Sequence, residues 1–311
     1  MNFNELMKEK VSGIESVISR YMPKQYSLQK TVIDAMDYTI SAGGKRIRPL
    51  LMQLTYELCG GTEEVIEPFM AAIEMIHTYS LIHDDLPALD NDDYRRGRKT
   101  AHIVYGEAMA ILAGDALLNY AYETASKAFN LIEHTENTQD MDKLVKELNI
   151  RKRVEKAMQL LASKPGIYGM IGGQVADVEL TGERLDNTQL TYIYENKTGA
   201  LIEVSMLIGA ILAGATMPQI EKIQKVAYNV GMAFQIQDDI LDETSTFEEL
   251  GKPLHSDEKN EKVTYVTLHG IEKSKKEVER LSKEAVEMLQ SIKGDSVFLI
   301  ELINYLVYRK N

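Results

Sequence analysis

The 311-residue chain has no tryptophan, six phenylalanines, seven prolines and one cysteine. With Cys59 as its single thiol, an intrachain disulfide is excluded, and a reducing compartment fits. Few prolines and no Ser/Gly-rich or low-complexity tract leave no linker at which to divide the chain, although its length would allow two domains. Period-two alternation with an Asn-Gly or Asp-Gly hairpin is missing, which argues against a β architecture. The N-terminal stretch MNFNELMKEKVSGIESVISR is charged throughout and lacks the apolar core of a signal peptide. The longest apolar run, about Val204 to Ala215, is shorter than the roughly 20 residues a spanning helix needs. A cytoplasmic location without a stable membrane anchor is expected. Six scattered histidines suggest no metal site, and no Ser-His-Asp or Cys-His set stands out. Positive charge is also short: the net charge of −12 argues against nucleic acid as a partner, despite the RRGRK cluster at 95–99. An anionic ligand would have to be drawn in by a few placed cations rather than by the overall field.

What is present is helical pattern. A 44% hydrophobic, 26% charged composition is that of a globular protein able to bury a large core. Val11, Ile14, Val17, Ile18 and Tyr21 recur at three-four spacing until Pro23 ends the run. Leu28, Val32, Met36 and Ile40 form a second stripe, and Val278, Leu281, Ala285 and Met288 another. These stripes predict an all-α fold, a single domain over residues 1–311 with about ten or more helices. The charged stretch from 130 to 164 predicts an exposed helix pair or loop, and Leu201 to Ala215 a small-residue helix for core or a dimer seam.

The chemistry concentrates between Glu74 and His102. An apolar helical run containing Met75, Ile76, Leu81 and Ile82 breaks into acid: Asp84, Asp85 and Asp90, with Asp92 and Asp93 close behind. Arg95, Arg96, Arg98 and Lys99 follow at once. Carboxylates followed by guanidinium groups suit an Mg²⁺-bound phosphate, hard oxygens holding the metal and Arg holding the remaining oxygens. A solvated acidic helix end would look the same. A second cluster, Asp238, Asp239 and Asp242, puts Asp238 and Asp242 on one helix face. Two such clusters facing each other would repel, and a cation between them would remove that cost. Pro87, between Asp84 and Asp90, predicts a bulge or kink. Asp115 reads as a buried, satisfied acid.

Seven motifs in order give the chain a family. GGKRIRP at 43–49, IHDDLPALD at 82–90, RRG at 95–97, GGQ at 172–174, KT at 197–198, FQIQDDILD at 234–242 and GKP at 251–253 resemble the trans-polyprenyl diphosphate synthases, most closely the bacterial farnesyl diphosphate synthases. The likeness runs from about Tyr38 to Lys310. It implies the isoprenoid-synthase fold, helices around a central apolar cavity. It implies head-to-tail condensation of isopentenyl diphosphate with dimethylallyl or geranyl diphosphate to give farnesyl diphosphate and diphosphate.

By the same resemblance, Asp84, Asp90 and Asp238 hold Mg²⁺, three ions per site. Lys45, Arg48, His77 and Arg96 bind isopentenyl diphosphate. Arg95, Lys197, Thr198, Gln235 and Lys252 serve the allylic diphosphate and its departure, and Gln174 lies in the wall of the cleft. Tyr79, roughly 7 Å down the helix from Asp84, would be the floor that limits the product to C15. A homodimer is implied. Val263 stands where the family commonly has Ser or Thr, which puts the hydrogen bonding of Thr264 in question. A geranylgeranyl diphosphate synthase is the near alternative. A non-catalytic modulating subunit is the alternative of a different class, although such a subunit would typically have lost one acidic cluster and this chain keeps both.

Overall fold

The computed structural model describes residues 2–24, 27–133, 140–244 and 263–308. Most are helical, as the three-four stripes predict, although Leu28 precedes α2 and is fully exposed; the chain forms two compact units. The first comprises Met1–Gln53 and Thr62–Leu161, the second Leu54–Gly61 and Ala162–Asn311.

In the first unit, α1 (Phe3–Tyr21) starts at a capping box of Asn2 and Glu5 and stops before Pro23. It is followed by α2 (Lys30–Ile40) and by α3 (Ile47–Leu58), whose residues from Leu54 on are assigned to the second unit. The element that positions the chemistry is α4 (Glu67–Asp84), opened by Pro68 in its first turn. Its residues from Pro68 to Met75 are buried without a polar face, and Ile76, Thr78, Tyr79 and Ile82 continue that core. A helix apolar all round belongs inside. It packs against α1, α2 and α6 (Glu107–Ser126). The His83 ring of α4 lies over Gly114 of α6, where a Cβ would stand 2.2 Å from its Nε2 and the ring would have to move. Asp115, expected to be buried, is instead exposed, because the next position along α6 faces outward; its carboxylate lies 3.9 Å from His83.

After α4 comes a structure too short for periodicity to reveal. β1 (Tyr94–Arg95) pairs antiparallel with β2 (Arg98–Lys99) across Arg96 (φ 53°) and Gly97 (φ 73°). Two successive positive φ values make the tight turn that matches strand twist. Then follow α5 (Ala101–Tyr105), α6, a 3₁₀ turn at Lys127–Leu131 and α7 (Met141–Ser163). The charged 130–164 stretch is thus largely one 23-residue helix, which buries only Val154, Ala157 and Leu161.

In the second unit, α8 (Met170–Glu179) precedes α9 (Asn187–Ile193), a π turn (Tyr194–Gly199) and α10 (Ala200–Ala213). Residues 200–212 are buried except Glu203, so the small-residue helix is core. Gly214, left-handed at φ 81°, ends α10 and reverses the chain into α11 (Met217–Thr244), which packs along it. After the second acidic motif come α12 (Tyr265–His269), α13 (Ile271–Gln290) and α14 (Val297–Val307). Despite Val263, Thr264 caps α12, accepting from Thr267 N at 3.2 Å.

Two helices among the described residues are longer and more apolar than the sequence runs suggested. Glu64–Asp84 and Asn187–Ala213 have the length and hydropathy of membrane spans, but their apolar windows are 78% and 67% buried.

Candidate active site

The first unit gathers cations around a glycine turn. Gly43 (φ 82°) and Gly44 (φ 141°) carry the chain from α2 into α3. The turn brings Arg46 inward rather than to solvent. Arg46 has no exposed side-chain surface; it donates to Glu15 Oε1 at 2.6 Å, to Glu74 Oε1 at 2.7 Å and to the Ile40 carbonyl at 2.5 Å. It holds φ 47°, a left-handed value uncommon for a residue with a side chain. Arg48, two residues on, has a buried Nε with no hydrogen-bond partner, and burial pulls its guanidinium down to about 10, still protonated at neutral pH. Arg96, at the hairpin tip, donates to the Gly43 carbonyl. Gly44 holds a φ that side chains rarely adopt, and a Cβ there would lie 2.7 Å from Arg96 Nη1.

His77 of α4 faces this group. Burial, then Arg48, Arg96, Arg95 and Arg46, hold its pKa well below the ordinary histidine value, so the ring is neutral. The predicted set of Arg48, His77 and Arg96 is therefore brought together electrostatically, and Lys45 is exposed on the same loop. A guanidinium whose buried Nε lacks an acceptor, beside a neutral imidazole, suits an anion.

The acid motif lies at the C-terminus of α4. The helix does not kink at Pro87; it ends at Asp84, because the following loop folds back on it. Asp90 N donates to the Asp84 carbonyl at 2.9 Å, and Asp92 N to the Asp85 carbonyl at 3.2 Å. The six-residue spacing thus returns Asp90 to the backbone of Asp84. Asp85 is buried and takes Arg95 Nε and Nη2 on Oδ1, each at 2.6 Å. Arg95 also reaches Asp92 at 3.6 Å. Arg95, expected at the allylic diphosphate, thus has its guanidinium against Asp85. Below the acids, Tyr79 is buried and edge-on to His83, ring centroids 5.8 Å apart. Burial, with Tyr122 and Asp84 adding, pushes its hydroxyl up to about 12.

The second unit builds its site on the π turn. Lys197 Nζ donates to Asp177 Oδ2 of α8 at 2.6 Å, and Thr198 Oγ1 donates to Gln235 Oε1 of α11 at 2.8 Å. The turn depends on close backbone approach: a Cβ on Gly173 would stand 2.2 Å from Lys197 N. This is the physical role of Gly173 in the GGQ motif; Gly172 instead approaches the Ile167 carbonyl. Tyr194 donates its hydroxyl to Asp239, which also accepts from Tyr265 N at 2.9 Å. A cavity of about 100 Å³ opens here, lined by Asp177, Tyr194, Lys197, Thr198, Gln235 and Asp239 among others. Gln174 is half-buried on α8 and does not line it. Asp238, half-buried, precedes Asp239 on α11. Lys252 lies outside the described residues.

Sequence reasoning missed Arg46, Glu74, Asp177, Tyr194 and the π turn. The paired glycines were the available signal for close approach at 173, and Arg46 stood within GGKRIRP without anything to separate it from Lys45 and Arg48.

Comparison with known proteins supplies the family. The polyprenyl synthetase family matches residues 29–298. A geranylgeranyl diphosphate synthase of Cyanophora paradoxa is 42% identical, over 100% of this chain and 98% of its own length. A farnesyl diphosphate synthase of Geobacillus stearothermophilus is 40% identical, over 89% and 88%. Among solved structures, a geranyltransferase of Legionella pneumophila superposes with a TM-score of 0.83 at 29% identity, covering 99% of this chain and 97% of that one. An FPP/GFPP synthase of Zymomonas mobilis gives 0.79 at 30%, covering 98% and 99%. With the fold and the ordered motifs agreeing, the chain belongs to the polyprenyl synthetase family.

Proposed function

We propose that this protein condenses isopentenyl diphosphate with dimethylallyl and geranyl diphosphates, giving farnesyl diphosphate. The observation that carries the reading is the basic cluster of Arg48, Arg96 and neutral His77 on the same unit as the acid turn of Asp84 and Asp90. Residues 1–311 act as one polyprenyl synthase domain, consistent with an uninterrupted family match from 29 to 298.

Asp84, Asp90 and Asp238 are the metal ligands in this reading. Mg²⁺ takes one or two carboxylates and fills its shell with water and phosphate oxygens, so scattered carboxylates fit it better than a closed cage would. Among the described residues no cage of three or more His, Cys, Asp or Glu exists. Bound Mg²⁺, three ions per site, would supply charge neutralisation to a leaving diphosphate.

The side chains do the remaining work. The allylic C–O bond breaks and diphosphate leaves with the electron pair; Arg95, Lys197 and Lys252 stabilise the charge gathering on it. Thr198 and Gln235, already hydrogen-bonded to each other, orient that group. Lys45, Arg48, His77 and Arg96 hold isopentenyl diphosphate while its double bond attacks the allylic cation. A C–C bond forms, and the resulting cation loses a proton to the released diphosphate. Apolar helices exclude the water that would otherwise capture either cation.

Tyr79 favours C15, because a buried aromatic ring under Asp84 blocks further growth. The C20 reading is kept because relatives named for both products are about equally similar. Both acidic clusters are retained, which favours an enzyme over a silent subunit. The protein is proposed to be a cytoplasmic homodimer. Incubation with Mg²⁺, isopentenyl diphosphate and dimethylallyl diphosphate, with the product's carbon number read by chromatography, tests the reading. No prenyl product overturns it; a C20 product overturns the chain-length assignment alone.

A further inference from the structure

We propose that Glu74 is the internal counter-charge of the basic pocket of Arg46, Arg48, Arg96 and His77, a positioning residue that sets how tightly the pocket holds a diphosphate. The inference rests on reading that pocket as the isopentenyl diphosphate site.

Glu74 sits on α4 one turn before His77 and is 2% exposed. Its carboxylate takes Arg46 Nη1 at 2.7 Å. Arg46 is a strut: its other contacts reach Glu15 and the Ile40 carbonyl, and it has no exposed side-chain surface from which to meet a ligand. Arg48 follows two residues later with its unsatisfied buried Nε, and Arg96 is docked on the Gly43 carbonyl of the same turn. Three guanidinium groups therefore crowd one glycine turn. Glu74 acts on all three; Glu15 holds Arg46 and reaches Arg96 but not Arg48, and at 39% exposed it is partly screened by water.

Like charges held close together repel, and a buried carboxylate beside them lowers that cost before an anion arrives. The same carboxylate repels a bound diphosphate. Glu74 thus trades affinity for a pocket that is stable when empty and able to release its ligand. No part of this requires Glu74 to touch substrate.

The test is calorimetric titration with isopentenyl diphosphate in EDTA, so that only the metal-free site is read. Glu74→Gln keeps the shape and the acceptor for Arg46 but adds one net positive charge. It should bind at least about threefold tighter than wild type. Glu74→Asp keeps the charge and should bind like wild type. Arg46→Met removes a positive charge and should bind at least about threefold weaker. The double variant Arg46→Met/Glu74→Gln restores the net charge and should return to within about twofold of wild type. A merely structural role would weaken binding in every variant. Should Glu74→Gln fail to fold, the comparison of Arg46→Met with the double variant carries the test. Glu74→Gln binding no tighter than wild type, or a double variant no tighter than Arg46→Met, overturns the inference. A wild-type chain that binds no isopentenyl diphosphate overturns it together with the reading of the pocket.

Discussion

Asp85 and Arg95 are joined by two contacts of 2.6 Å on a single carboxylate oxygen, in a turn where Asp84, the residue before, is the proposed metal ligand. The second acidic motif repeats this division. Asp239 is buried against Tyr194 and the Tyr265 amide, while Asp238 before it is half-buried. In each Asp-Asp pair one acid fastens the fold, and the other is assigned to chemistry.

Substitution should separate the two roles. Asp85→Ala leaves Arg95 only its longer contact to Asp92, and Asp239→Ala removes the acceptor of the Tyr194 hydroxyl and one of the two acceptors of Tyr265 N; each is expected to cost about 2–3 kcal/mol in urea unfolding. Asp84→Asn and Asp238→Asn should instead lower kcat/KM by at least about 100-fold with a smaller loss of stability. An Asp85→Ala protein as stable as wild type would contradict the assignment of that acid to the fold.

Chain length should depend on Tyr79. Removing a ring that is 6% exposed leaves a cavity beneath Asp84, and Tyr79→Ala should lose about 3 kcal/mol while shifting product from C15 to C20 or longer. Chromatography of the hydrolysed prenyl alcohols reads the outcome. Unchanged C15 output from a folded variant would remove Tyr79 as the floor.

His77 gives stability a pH dependence. Its folded pKa is depressed by burial and by Arg48, Arg96, Arg95 and Arg46, so below about pH 6.5 the unfolded chain takes up a proton that the folded chain does not. Its contribution is therefore present above that pH and lost as pH falls, with a slope approaching about 1.4 kcal/mol per unit. His77→Gln should flatten the pH dependence of urea unfolding between about pH 6.5 and 5 relative to wild type. Parallel curves for the two proteins would show that His77 titrates alike folded and unfolded.

The helical stripes and the ordered motifs were legible because each repeats a local rule: a three-four period, or residue types at a fixed spacing. Roles within a motif were not. Lys45, Arg46 and Arg48 look alike in sequence, yet Arg46 is buried because it meets Glu15, 31 residues earlier, and Glu74, 28 residues later. Asp84 and Asp85 cannot be told apart until Arg95 is seen to close on one of them. Asp115 reads as a buried acid in the sequence, yet the helix turns it to solvent one position after the buried Gly114. The hairpin strands are two residues each, too short for any period to register. The π turn carries no pattern of its own; what holds it lies on α8 and α11.

That dependence on distant support makes Gly173 the most sensitive test of how Lys197 is placed. A Cβ at 173 would meet Lys197 N at 2.2 Å and the Asn196 carbonyl carbon at 2.7 Å. Both are backbone atoms, which cannot rotate aside, so the π turn itself must shift. Gly231 is a matched comparison: its Cβ would lie 3.1 Å from Gly199 Cα, a few tenths of an ångström from ordinary contact. Gly173→Ala should therefore cost about 2–3 kcal/mol and displace Lys197 from Asp177, lowering kcat by at least about tenfold. Gly231→Ala should cost about 1 kcal/mol and lower kcat by less than about threefold. Single-turnover rates and urea titration of the two variants decide it, because a generic packing defect would reduce both in proportion to stability. Equal losses of turnover in the two variants would show that the approach at Gly173 does not place the lysine.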